Sequence, residues 1–99
     1  MTTPRLSPTE RVVLELLREH SELYGLDLVK KSDGKLKRGT VYVTLGRMAD
    51  KGFVDSRQVA APPTAGGLPR RLFKMTGLGE RMLAAADWVA LAFPEGAPG

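Results

Sequence analysis

The sequence predicts a small, mainly helical α+β domain with a single hydrophobic core. Its 99 residues suffice for one domain with a modest core. Apolar residues recur at helical spacing through the first half of the chain and again near its end. Between them, two short β-type segments enclose a stretch rich in Pro and Gly, which is the pattern of a β-hairpin.

Composition excludes several classes of function. The chain has no Cys, so disulfides, thiolate chemistry and zinc fingers are ruled out. A single His and no paired carboxylates leave neither a metal site nor a catalytic triad, and we expect no enzyme and no cofactor. No apolar run approaches a membrane span and no signal-peptide core is evident, so we expect a cytoplasmic protein without a membrane partner.

Two helices are predicted in the first third of the chain. Ser7 as N-cap, Pro8 at the first position and Glu10 closing a capping box start a helix that runs to about His20. Its predicted buried stripe is Val12, Val13, Leu16 and Leu17. A shorter helix follows from Tyr24 to Ser32, with Leu26 and Val29 facing inward, and Asp33-Gly34 stops it. Lys35–Lys37 alternates enough for a minimal strand with Leu36 inward.

The segment 38–51 is the central helix of the prediction. Val41, Leu45 and Met48 fall on one face, and Gly52 is placed to end the helix in the left-handed conformation. The other face carries hydroxyls, an aromatic ring and cations, which are groups that hydrogen-bond phosphates and base edges. The alternative is an ordinary solvated face, and Thr40 is open to a second interpretation as the helix N-cap.

A hairpin and a last helix complete the chain. Phe53 to Val59 and Arg70 to Met75 are predicted strands, joined by the loop 60–69, with cations at the hairpin base: Arg57, Arg70, Arg71 and Lys74. Thr76 caps a final helix that ends near Phe93. That helix has more apolar residues than one face needs: Leu78, Met82, Leu83, Ala86, Val89 and Phe93, with Trp88 and Leu91 beside them.

Positive charge is concentrated in the middle of the chain. The formal net charge is +4, but residues 30–51 carry seven Lys and Arg against two Asp, and residues 52–75 carry four against one. Both flanking segments are slightly acidic. The central helix and hairpin would therefore present a basic surface suited to a polyanion, although a solvated basic face has the same pattern.

The order of elements matches a winged helix-turn-helix: a three-helix core, a two-stranded wing and an added C-terminal helix. We assign residues 1–75 to the DNA-binding domain, residues 76–93 to a C-terminal dimerisation helix in the same compact unit, and residues 94–99 to a flexible tail.

Particular residues strengthen this interpretation. Tyr24-Gly25, the run Arg38 to Tyr42, and Gly52-Phe53-Val54 resemble the PadR-like family of bacterial transcriptional regulators. The run Gly67 to Thr76 is similar to that family's wing and the entry to its last helix, and the resemblance covers about residues 12–84. Phe73 stands where an aromatic residue with a hydroxyl is common, and the single C-terminal helix indicates the short branch of the family.

The resemblance implies a homodimeric repressor that places its central helix in the major groove of a pseudo-palindromic operator. The DNA contacts expected from residue chemistry and this resemblance are Lys37, Arg38, Thr40, Tyr42, Val43, Thr44, Arg47, Lys51, Arg57, Arg70 and Arg71. The expected dimer contacts are Leu16, Met82, Ala86, Trp88, Val89 and Phe93. The alternatives are a protein–protein interaction module without specific DNA binding, or a repressor gated by a planar aromatic effector stacked on Trp88.

Overall fold

The computed structural model describes residues 6–60 and 70–92, and the predicted fold class is confirmed. The helices are α1 (Pro8–His20), α2 (Gly25–Lys31), α3 (Arg38–Asp50) and α4 (Gly77–Ala92), and the strands are β1 (Glu22–Tyr24), β2 (Val54–Val59) and β3 (Arg70–Met75). The predictions for most of the hairpin loop, for Phe93 and for the tail fall outside the described residues.

The start of α1 is confirmed in detail. Ser7 Oγ accepts a hydrogen bond from the Glu10 N–H (3.2 Å), and Glu10 Oε1 accepts one from the Ser7 N–H (2.9 Å). The predicted buried stripe was partly wrong. Val13, Leu14 and Leu17 are buried together with Glu10, whereas Val12 and Leu16 are half-buried. The stripe is rotated toward Glu10 because that side of α1 packs on the core.

The strands form one antiparallel sheet in the order β1-β3-β2. The expected wing strands pair from Val54 with Met75 to Val59 with Arg70. The minimal strand predicted at Lys35–Lys37 was wrong, because the third strand is Glu22–Tyr24, paired with β3. Leu23 lies opposite Phe73 in this pair, and both side chains are buried.

The turn between α2 and α3 is built around a buried serine. Ser32 Oγ donates to the Val29 carbonyl (2.8 Å) and accepts from the Leu36 N–H (2.9 Å). Leu36 is buried, as predicted. Leu26, predicted to face inward, is 39% exposed, and Leu28 fills the core in its place.

α3 packs on the core through the predicted face. Val41, Leu45 and Met48 are at most 1% exposed, and Gly52 follows the helix with φ +83°. The N-cap interpretation of Thr40 was wrong: the helix begins at Arg38 with Lys37 as N-cap, and Thr40 is its third residue. α3 therefore begins earlier in the chain, nearer to the end of α2 in sequence, than a cap at Thr40 would allow.

α4 begins at the predicted cap, Thr76, and its described part buries few large apolar side chains. Thr76 Oγ1 accepts from the Gly79 N–H (3.0 Å) and donates to the Gly52 carbonyl. Gly79 is required here because a Cβ at this position would clash with the Phe53 carbonyl oxygen. Leu83 is the one large apolar side chain of the described part of α4 that is fully buried.

The core residues come from every element, and together they form one cluster: Val13, Leu14, Leu17, Leu23, Leu28, Leu36, Val41, Leu45, Met48, Phe53, Val54, Phe73 and Leu83. None of the helices in the described residues combines the length and apolar character needed to cross a membrane.

Candidate nucleic-acid interface

The outward face of α3 is exposed to solvent in the described chain. Gly39, Val43, Gly46 and Asp50 recur at helical spacing on the side opposite the buried residues, and all are exposed. Val43 is 57% exposed, and apart from neighbouring residues and backbone of the helix itself, no atom of the described residues lies within 4 Å of a Cβ built on either glycine. This face, the α3 strip, lies at the surface of the domain and carries one carboxylate, that of Asp50.

Exposed cations flank the α3 strip. Lys37 and Arg38 lie at the N-terminal end of α3, and Arg47 lies in its last turns. Their side chains make neither ion pairs nor hydrogen bonds with other residues of the described ranges. Thr40 Oγ1 is 3.5 Å from the Lys37 carbonyl, and Thr44 is half-buried.

Lys51 differs from these cations. Its Nζ donates to Glu10 Oε2 at 2.7 Å and lies 5.8 Å from the Phe53 ring centroid. The Lys51 side chain is 47% exposed, whereas that of Glu10 is 6% exposed. Burial raises the pKa of Glu10, but the hydrogen bonds from Lys51 and from the Ser7 N–H outweigh it, and the pKa falls below its ordinary value.

Tyr42 stands at a corner between α2 and the wing. Its ring packs against Gly25, where a Cβ would come 2.6 Å from Tyr42 Cε1. Across this corner the Arg70 guanidinium lies over the Tyr24 ring, 5.6 Å from the centroid. These residues and Arg71 border an open cleft of about 410 Å³. The Tyr42 corner, defined by these five residues, joins α2, α3 and β3 on one surface.

Two of the predicted wing cations have partners within the sheet. Arg57 Nε donates to Glu22 Oε2 at 3.3 Å, and Arg71 Nη1 donates to Ser56 Oγ at 3.2 Å. The Arg57 side chain remains 62% exposed. Both arginines therefore stay at the surface with guanidinium N–H groups available for other acceptors.

Most of the predicted dimer residues lie on α4, away from the α3 strip, and Leu16 lies on α1. Trp88 is 65% exposed, Val89 50% and Leu91 83%, while Met82, Ala86 and Leu16 are half-buried. An apolar surface cavity of about 420 Å³ lies beside Trp88, lined also by Leu83, Leu91 and Met75.

Two arginines of α1 form ion pairs with one carboxylate of α4 beside this surface. Arg11 and Arg18 each donate to one oxygen of Asp87, both at 2.8 Å. Hydrogen bonds from Arg18 and Arg11 lower the pKa of the Asp87 carboxyl. The two pairs hold α4 against α1 beside the exposed apolar residues.

Sequence reasoning missed three residues that shape the α3 surface. The sequence indicates Glu10 only as part of a capping box and Gly25 only as part of a family motif, and it assigns no role to Gly46. Lys51 lies 41 residues from Glu10, so no local pattern could have linked them. Gly46 did carry a signal, because Gly inside a helix is unfavourable by about 1 kcal/mol relative to Ala.

Comparisons with known proteins identify the family and similar folds. The sequence model of the transcriptional regulator PadR-like family matches residues 13–85. A PadR family regulator from Eggerthella lenta is 30% identical, with a TM-score of 0.65 over 83% of this chain and 72% of that one. One from Clostridium difficile R20291 is 22% identical, with a TM-score of 0.72 over 87% and 90% of the two chains. A search of curated proteins gave no match.

A further structure is that of Bacillus subtilis PadR in complex with operator DNA. It is 27% identical and gives a TM-score of 0.64 over 80% of this chain, which spans 45% of that protein. With nearly three quarters of the sequence matched by the family model, the chain belongs to the PadR-like family of transcriptional regulators, which is not a family of enzymes.

Proposed function

We propose that this protein is a homodimeric transcriptional repressor that inserts α3 into the major groove of a pseudo-palindromic operator. The observation that carries the proposal is the α3 strip: an exposed helix face with two glycines, flanked by Lys37, Arg38 and Arg47, which are not engaged by the described residues. A helix of this size fits the major groove, and Lys and Arg neutralise phosphates on either side of it.

The two glycines of the α3 strip support close approach of DNA. Gly39 and Gly46 face open space, so no contact within the described chain explains why a larger residue is absent. Gly in a helix is less favourable than Ala, and a ligand that approaches the backbone closely is one reason to keep it. Val43 lies between them, and its methyl groups suit contact with a thymine methyl.

The Tyr42 corner and the wing strands supply the proposed backbone contacts. The Tyr42 side chain is 53% exposed, so its hydroxyl can donate to a phosphate while the ring rests on Gly25. Arg70 and Arg71 lie on the same surface, and Arg57 lies on the adjacent strand. The proposed DNA contacts, besides Val43, are Lys37, Arg38, Thr40, Tyr42, Thr44, Arg47, Arg57, Arg70 and Arg71.

The second copy of this chain is the proposed partner of α4. Trp88, Val89 and Leu91 are exposed apolar residues that the described residues do not cover, and Trp88 and Leu91 border the same apolar cavity. Apolar and aromatic residues concentrate in the cores of homodimer interfaces. With a two-fold axis at α4, the two α3 helices would face equivalent half-sites about one helical turn apart.

Fluorescence anisotropy tests the proposal. The probes are the duplex immediately upstream of the protein's own gene and a scrambled duplex, each titrated over a salt series. We expect preferential binding to the upstream duplex, with a log–log salt slope of several, about −0.9 for each phosphate neutralised. Absence of binding at low salt would contradict the proposal and favour a protein–protein interaction module. Equal weak binding to both duplexes would contradict an operator next to this gene.

Repression is tested separately from binding. A reporter gene whose promoter contains the preferred duplex should be expressed less when this protein is produced. Its expression should recover when the Arg47→Ala variant is produced instead. The control is Glu19→Ala, which alters an exposed residue of α1 outside the proposed interface and should repress normally. Increased expression with the wild-type protein would identify an activator instead.

An effector-gated version of the repressor is the second candidate. The apolar cavity beside Trp88 is bordered by Arg18 of α1, and its volume of about 420 Å³ is within the range of small-molecule sites. A planar aromatic compound that stacks on Trp88 should quench its fluorescence and shift DNA affinity. Fluorescence that stays constant up to high micromolar concentrations of such compounds would contradict this candidate.

A further inference from the structure

We infer that Glu10 and Lys51 form a positioning link that fixes the C-terminal end of α3 against α1, and that Lys51 serves DNA recognition through this link rather than by contacting DNA. The inference rests on the proposed function, because it concerns how the DNA-reading helix is held.

The first argument is the choice of Glu at position 10. The capping box needs one acceptor, and Oε1 fills that role by accepting the Ser7 N–H. A Gln would satisfy the box equally well. The second oxygen accepts a hydrogen bond from Lys51, whose Nζ lies 2.7 Å from Oε2, and the negative charge suits both this cation and the positive end of the α1 dipole.

Burial supplies the second argument. Glu10 is 5% exposed, and a carboxylate at that depth is strongly unfavourable unless it is paired and hydrogen-bonded. Lys51 is its only cationic partner among the described residues. The link therefore has a defined geometry, set by a rigid first helical turn on one side and the C-cap of α3 on the other.

The third argument concerns where the link acts. The inner face of α3 fixes its rotation through Val41, Leu45 and Met48. The backbone reverses at Gly52, and the Phe53 N–H donates to the Met48 carbonyl at 2.8 Å. In the described residues, the bond to Glu10 is the one side-chain ion pair that joins the end of α3 to another element. Loss of this ion pair would leave the C-terminal end of α3, which carries Arg47, less constrained.

The experiment compares Lys51→Met with Lys37→Met, a matched loss of a cation at the other end of α3. Both are measured on the preferred duplex and the scrambled duplex over a salt series, at a temperature where circular dichroism shows each variant fully folded. We expect Lys51→Met to lower the preference for the specific duplex by roughly tenfold, similar to the loss of one base-edge contact, with the salt slope unchanged. Lys37→Met should reduce the slope by about 1.8 per dimer, which corresponds to one phosphate contact in each subunit.

Glu10→Gln keeps the capping box and removes the charge, so it should reproduce the loss of preference. The double variant with Lys51→Met should show no further loss, because the two residues act as one unit. A salt slope reduced by about 1.8 in Lys51→Met would overturn the inference and make Lys51 a phosphate contact. A lower melting temperature with full DNA preference would also overturn it, leaving a pair that only stabilises the fold.

Hydrogen exchange separates this inference from the proposed function. The Phe53 amide proton, bonded to Met48, should exchange faster in Lys51→Met and at the wild-type rate in Lys37→Met. If the wild-type protein binds no DNA, the proposed function fails on its own. Unchanged exchange in Lys51→Met would refute the link whether or not DNA binds.

Discussion

α3 and α4 are helices of similar length that use their outer faces in opposite ways. α3 buries three large apolar residues and leaves two glycines, Val43, Asp50 and flanking cations outside. The described part of α4 buries only Leu83 fully among its large apolar residues and exposes Trp88, Val89 and Leu91. The polar surroundings of α3 suit a polyanion, and the apolar surface of α4 suits a protein. The difference indicates that the two helices face different partners.

The largest expected effect distinguishes the buried residue of α4 that stabilises its own subunit from an exposed residue that is available to a partner subunit. Leu83→Ala removes a side chain that is 1% exposed, and we expect it to lower the free energy of unfolding by about 2–5 kcal/mol. Leu91 is 83% exposed, so Leu91→Ala should change the stability of the monomer by less than about 0.5 kcal/mol. Urea unfolding at low protein concentration measures both, and equal losses would contradict the division.

The next prediction concerns acid stability at the end of α3. Because folding lowers the pKa of Glu10, its contribution is fully present above the ordinary value of 4.5 and is lost as the pH falls through the lowered pKa. Glu10→Gln should reduce the free energy of unfolding at neutral pH by about 1.5–3 kcal/mol. Urea unfolding between about pH 7 and pH 3 should show a smaller acid-dependent loss in this variant than in the wild type. If the free energy of unfolding fell equally with pH in the variant and the wild type, the assignment of this acid-dependent loss to Glu10 would be contradicted.

Two single substitutions, one on α4 and one on α3, test whether the surfaces of these two helices act independently. Trp88→Ala should weaken dimerisation by about 1–2 kcal/mol, or roughly 5- to 30-fold in Kd. Val43→Ala removes an exposed apolar side chain of comparable exposure from α3, and should leave the dimer unchanged while lowering DNA preference. Sedimentation equilibrium and anisotropy give the two readouts. Weaker dimerisation with Val43→Ala would place the dimer contact on α3.

The smallest effect is expected at Gly46. Gly46→Ala adds a Cβ into open space, so it should stabilise the fold by about 0.5–1 kcal/mol through helix propensity. DNA affinity should fall in the same variant, because the added methyl group faces the proposed groove. Stability and affinity that rise together would show that DNA does not approach the backbone there.

Local signals made much of the fold predictable from the sequence. Ser7 and Glu10 form the predicted capping box within one turn, and Val41, Leu45 and Met48 follow from spacing alone. The sequence predicts a minimal strand at Lys35–Lys37 and a second helix that begins at Tyr24, whereas the strand is Glu22–Tyr24 and the helix begins at Gly25. Glu22–Tyr24 is a strand because it pairs with β3, which lies far along the chain.

The site was predictable only in part. The identity of the exposed α3 residues follows from the helix period, but the engagement of Lys51 by Glu10 and the contact of Tyr42 with Gly25 depend on tertiary packing. The roles of the named residues in DNA binding and dimerisation remain predictions.

Hydroxyl-radical footprinting on the preferred duplex tests the central claim most directly. A dimer joined through α4 with both α3 helices in major grooves predicts two protected segments related by two-fold symmetry, with centres about 10 base pairs apart. Trp88→Ala should weaken both protections together. A single protected segment, or protection unaffected by removal of the α3 cations, would contradict the account.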